Sequence, residues 1–155
     1  MEYQELHKDL NLNIFFDGFT NVYKNLNINI ESFTEATSFI DKICLSHNFI
    51  GLKEEWKELS FEEAESFFIS SLRFNIGFTK HENMSKEKAR DFYIKLTENF
   101  NLQKCSFFSN WYNNPWIEGC DNSIGINTIS DSTLDLALFI IDENKILFHF
   151  ISFED

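Results

Sequence analysis

The sequence predicts an α+β fold: about three N-terminal and middle helices packed on a mainly C-terminal antiparallel sheet, with a β-hairpin at its centre. Two observations predict it. The run from Thr133 to Phe153 contains two apolar stretches of strand length joined by Asp142-Glu143-Asn144-Lys145. Between residues 32 and 101 lie three stretches of helical periodicity, each opened by a serine.

The hairpin shows its two faces directly, because side chains along a strand alternate with period two. Leu134, Leu136, Leu138 and Ile140 fall on one face of the first strand, and Thr133, Asp135, Ala137, Phe139 and Ile141 on the other. In the second strand Ile146, Phe148 and Phe150 oppose Leu147, His149, Ile151 and Phe153. Both faces are largely apolar, so the hairpin is expected in the interior of a sheet covered on both sides.

From the N-terminus, Leu10, Leu12 and Ile14 alternate with Asn11 and Asn13, which predicts a short strand, with a turn at Asp17-Gly18. A helix across Gly18 to Asn25 is the alternative, from the spacing of Phe19, Val22 and Tyr23. Leu26, Ile28 and Ile30 predict a second short strand. Ser32-Phe-Thr-Glu35 has the form of a capping box, followed by the stripe Phe33, Ala36, Phe39, Ile40, Ile43 and Cys44. Ser60-Phe-Glu-Glu63 repeats the signature, with Phe61, Ala64, Phe67, Phe68 and Leu72 inward and an end near Gly77. A third helix starts around Ser85, carries Ala89, Phe92, Tyr93, Leu96 and Phe100 inward, and is capped by Asn101. Residues 104–111 and 123–130 predict two further strands. The stretch between them, with Asn113-Asn114-Pro115 and Gly119, reads as a loop. The sheet should then hold three to five strands.

A chain of 155 residues with 43% apolar content and 19 phenylalanines fits one folded domain, residues 1–155. The formal net charge of −12 argues against a nucleic-acid or anionic-membrane partner, since carboxylates and phosphates repel. Cys44, Cys105 and Cys120 are odd in number and show no ligand-like spacing, which favours reduced thiols and a cytoplasmic location. The first residues lack a basic region followed by an apolar run, so no signal peptide is expected. No apolar stretch approaches the roughly 20 residues of a membrane span.

The residues offer little catalytic chemistry. His7, His47, His81 and His149 are scattered without metal-ligand spacing, and no Gly-rich phosphate loop or Gly-x-Ser-x-Gly turn occurs. No catalytic residue, metal or cofactor is therefore expected. His149 reads as a hydrogen-bonded strand histidine and Cys44 as packing. Glu62 and Glu63 stand at a helix start, where the macrodipole accounts for them.

Charge is unevenly placed. Glu118, Asp121, Asp131, Asp135, Asp142, Glu143, Glu154 and Asp155 face a single base, Lys145, from residue 118 onward. A second acidic cluster, Glu54, Glu55, Glu58, Glu62, Glu63 and Glu65, surrounds Trp56 and reads as a solvated face. The C-terminal acids lie next to a loop bearing Trp111, Tyr112 and Trp116. Aromatic anchors ringed by carboxylates are the composition of a site for a basic protein surface. Each has a plainer reading: Asp142 and Glu143 as turn residues, Asp135 as an inward carboxylate paired within the sheet, the tryptophans as core.

The stretch Trp111-Tyr-Asn-Asn-Pro-Trp116, then Asn127 to Asp142, then a hairpin ending Ser152-Phe-Glu-Asp155, resembles the immunity proteins of bacterial polymorphic toxin systems, those of contact-dependent growth inhibition above all. The likeness covers about the last 45 residues. It implies a small cytoplasmic protein that binds the toxic C-terminal domain of a cognate effector, often a basic nuclease, and covers its active site, without itself touching nucleic acid or membrane. No residue of the family carries over by motif. An acidic regulatory or adaptor module, an enzyme with an unrecognised site and a nucleic-acid mimic are the competing expectations.

Overall fold

The computed structural model describes residues 1–12, 16–76, 82–116 and 127–153. Among them one antiparallel sheet of six strands runs through the molecule, ordered β1-β2-β6-β5-β4-β3. The strands are β1 (Tyr3–Glu5), β2 (Gly18–Tyr23), β3 (Lys57–Leu59), β4 (Ser106–Ser109), β5 (Leu134–Ile141) and β6 (Ile146–Phe153). The helices are α1 (Leu6–Asp9), α2 (Phe33–Ser46), α3 (Phe61–Arg73) and α4 (Lys86–Thr97). The architecture is α+β, with the predicted hairpin β5-β6 at the centre.

The two faces of the hairpin bury two separate cores. Leu136, Leu138, Ile140, Leu147 and Ile151 join Phe67, Phe68 and Leu72 of α3 and Ala89, Tyr93 and Leu96 of α4. Ala137, Phe139, Ile141, Ile146, Phe148 and Phe150 join Ala36, Ile40, Ile43 and Cys44 of α2. In register, Phe139 lies opposite Phe148, and their rings stack at 4.2 Å. Each such phenylalanine contributes roughly 1.5–3 kcal/mol by leaving water.

Ser60 and Glu63 form the complete capping box of α3, each accepting the other's backbone N–H. In α2 only half of it forms. Ser32 Oγ accepts from Glu35 N, while the Glu35 carboxylate turns to Asn29 N. Ser85 caps α4 through Lys88 N.

Departures from the expected elements have local causes. Residues 10–14 are no strand where described: α1 precedes Leu10, Leu12 is buried, and the last two predicted positions lie outside the described residues. The strand is β2, where a turn or a helix was expected. Thr20 and Asn21, polar yet buried, hide its alternation. Gly18 opens β2 because a Cβ there would stand 1.9 Å from the Phe150 carbonyl oxygen. Gly18→Ala should therefore cost about 2–3 kcal/mol in urea unfolding; a loss under about 0.5 kcal/mol would refute that close approach.

Residues 26–30 keep the alternation, with Ile28 buried and Asn27 and Asn29 exposed. Their amides go to the hairpin turn, Leu26 N to Asn144 O and Ile28 N to Glu143 O, so no strand forms. Residues 127–130 are not a strand either, because Ile129 N and Ser130 N donate to the Asp135 carboxylate; 123–126 lie outside the described residues. α3 ends at Arg73, short of Gly77, and Phe74 bridges to Glu82. α4 ends at Thr97, and Asn101 opens a 3-10 turn at Leu102–Lys104 instead of capping the helix. β1 and β3, three residues each, are too short to leave a periodic signal. They bring the count to six.

Candidate protein-binding surface

The structure separates the residues grouped by sequence. Trp111 is 3% exposed, and its Nε1 donates to the Asp135 carbonyl oxygen. Trp116 is half-buried against the α3-side core and donates from Nε1 to Asn75 O. These two tryptophans hold the loop to the body and present little ring to a partner. Tyr112 is the exposed aromatic of the three, at 39%, and its hydroxyl donates to Glu55 Oε2 at 3.2 Å.

Asp135 is fully buried. Its carboxylate accepts from Asn110 Nδ2 at 2.7 Å, Ile129 N at 3.0 Å, Ser130 N at 2.8 Å and Ser130 Oγ at 2.6 Å. Asn110 completes the link by accepting from Ala137 N. Burial pushes the Asp135 pKa up, and the bonds from Ser130, Ile129 and Asn110 hold it back. This carboxylate organises the loop before β5. Neither it nor Trp111 can reach a partner's surface in this fold, so both leave the candidate set.

Asp142 closes the hairpin turn. Oδ1 accepts from Asn144 N and Lys145 N, and Oδ2 pairs with Lys145 Nζ at 2.9 Å. Glu143 beside it is exposed, as is Asp131 before β5. They stand at opposite ends of β5, whose eight residues span roughly 25 Å. One compact C-terminal acidic patch is therefore not formed by the described residues. Glu118, Asp121, Glu154 and Asp155 lie outside them.

A different grouping takes its place. β3 pairs with β4 so that Lys57 faces Ser109, which sets the residues before β3 alongside the loop after β4. Glu54, Glu55 and Glu58 are exposed there, and Glu62 follows on the first turn of α3. Tyr112 bonds into this edge through Glu55. Trp56, the cluster's central aromatic, is buried and donates to Asp41 Oδ1 at 2.8 Å, so it fixes the edge from below. Among the described residues, no hydrogen bond or ion pair reaches the carboxylates of Glu54, Glu58 or Glu62. These glutamates are solvent-facing as expected, but the bond of Glu55 to Tyr112 has no signal in the sequence. No local pattern carries it, because it depends on β3 lying beside β4, 50 residues away in the chain.

His149 is the other polar centre. It is fully buried, stacked on Phe68 at 4.9 Å, with Nδ1 2.7 Å from Thr20 Oγ1 and Nε2 3.1 Å from Ser71 Oγ. Ser71 Oγ donates its one proton to Phe68 O, so towards the ring it accepts. The proton of His149 is thus on Nε2, and Nδ1 accepts from the Thr20 hydroxyl. A Ser–His pair in this sense leaves the serine unactivated, and among the described residues no carboxylate bonds the ring. Among the described residues no group of three or more His, Cys, Asp or Glu is placed to hold a metal ion, and no helix is long and apolar enough to cross a membrane.

Compared with known proteins, the chain matches no family model, no curated protein and no solved structure.

Proposed function

We propose that this chain is an immunity protein, which binds and neutralises the basic toxic domain of a cognate effector through the acidic β3 edge. One observation carries the reading: Glu54, Glu55, Glu58 and Glu62 are solvated along a sheet edge with an exposed tyrosine hydrogen-bonded among them. A nuclease attracts phosphate with a basic cleft, and carboxylates offered to that cleft compete for the same field. Opposite charge steers association towards about 10⁸ M⁻¹s⁻¹ at low salt. Tyr112 adds an aromatic contact of the kind that slows dissociation.

The test is co-expression with the toxic C-terminal domain of a large secreted protein encoded immediately upstream. Growth should be restored, and the two chains should co-purify. Reversing Glu54, Glu55 and Glu58 to lysine together should abolish rescue, whereas Glu143→Lys should leave it intact. Absence of both rescue and co-purification would contradict the immunity reading. Co-purification without rescue would favour an adaptor that uses the same edge.

A further inference from the structure

We infer that the cleft at the foot of β3 receives an arginine or lysine side chain from an extended basic segment of the partner, a reading that rests on the proposed binding of a basic protein. The cleft, about 540 Å³, lies between β3, the first turn of α3 and the turn before β4. Its apolar wall is Leu59, Phe61, Leu102 and Phe107, with Phe61 set edge-on to Phe107 at 6.2 Å. Its charged lining is Glu58 and Glu62, and among the described residues no lysine or arginine lines it.

Three features choose the occupant. A helix start is ordinarily a place for anions, because its amides are unpaired. Here Ser60 and Glu63 already satisfy two of those groups, and Glu62 adds a carboxylate, so the cleft favours a cation. The volume lies within the range of small-ligand sites, and its apolar wall suits the methylene stem of a long basic side chain. Among the described residues β3 ends the sheet order and no further strand pairs with its outer side, which offers backbone groups to an added strand. An extended segment lying there directs alternate side chains to one side, which brings a basic residue over the cleft. The Cys105 thiol in the lining donates to Asn101 O, and burial pushes its pKa up to about 12, so the pocket binds without offering a nucleophile.

A labelled octapeptide of alternating arginine and valine provides the probe, read by fluorescence anisotropy and by amide chemical shifts of the protein. Saturable binding should shift the amides of residues 58–62 and 102–107. Glu58→Gln with Glu62→Gln should weaken it at least tenfold, while Asp131→Asn with Glu143→Gln, an equal change in charge, should weaken it less than twofold. Both pairs are exposed, so their folds should be kept, and circular dichroism checks this. Equal losses in the two double variants, or shifts centred elsewhere, would overturn the cleft. So would the absence of saturable binding. Rescue by the Glu58→Gln/Glu62→Gln protein equal to wild type would also overturn the cleft while leaving the immunity reading standing. Failure of the wild-type protein to rescue would strike that reading instead.

Discussion

Asp135→Ala should destabilise the protein by about 3–5 kcal/mol, the largest loss expected from any single polar substitution among the described residues. The carboxylate accepts four hydrogen bonds from Asn110, Ile129 and Ser130, and its own carbonyl holds Trp111 Nε1. Removing it leaves the buried Ile129 amide without its acceptor, frees Ser130 N and Oγ, and takes the shortest of the bonds of Asn110 Nδ2, which keeps Asn127 O and the Asp135 carbonyl. Orphaned donors of this kind cost about 1–3 kcal/mol each. At about 2–4 °C per kcal/mol for a chain of this size, the melting temperature should fall by roughly 10 °C. Asp135→Asn keeps the shape but turns a donor towards donors, so it should lose an intermediate amount. A loss below about 1 kcal/mol for the alanine variant would show that the loop before β5 is held by something else.

Acid should destabilise the fold through His149. Burial lowers its pKa from an ordinary 6.5 to about 3, with the charge of His7 a second cause. The unfolded chain therefore binds a proton that the native state refuses between pH 6.5 and pH 3. Stability from this residue is complete above pH 6.5 and drains away as pH falls through that window. Between pH 6.5 and pH 4 the loss should be roughly 3 kcal/mol. Asp135 acts with the opposite sign: its raised native pKa makes the folded state take up a proton first, so its own contribution grows as pH falls. The histidine should dominate, because its window opens at higher pH and is wide. Urea unfolding of wild type and His149→Gln at pH 7, 5.5 and 4 checks it. The variant should start lower at pH 7 through its altered bonds to Thr20 and Ser71, yet lose about 3 kcal/mol less on acidification. Parallel curves would contradict the assignment.

What the sequence disclosed follows from which interactions are local. The hairpin faces, the three main helix stripes and the Ser60–Glu63 box all depend on residues within a few positions of one another, and all are present, save that Phe33 at the head of the first stripe stays exposed. β1 and β3 gave no warning, because a three-residue edge strand is defined by its neighbour and not by its own pattern. β2 was obscured by Thr20 and Asn21: Thr20 finds its partner in His149, while Asn21 donates to Tyr23 Oη and leaves its own Oδ1 buried without a partner among the described residues. The candidate site was less legible still. Charge could be counted along the chain, but strand length sent Asp131 and Glu143 to opposite ends of the sheet, and β3-β4 pairing brought Glu55 to Tyr112. The inward reading of Asp135 and the turn reading of Asp142 are the ones the hydrogen bonds favour.

Central to this account is that the β3 edge, and not the hairpin turn, meets the basic partner. The most direct measurement is the association rate with the toxic domain by stopped flow at low and physiological salt. Glu54→Gln/Glu55→Gln/Glu58→Gln should slow association about tenfold at low salt and flatten its salt dependence, while Asp142→Asn/Glu143→Gln should stay within twofold of wild type. Slowing by the hairpin-turn variant with the β3 variant unchanged would contradict the account.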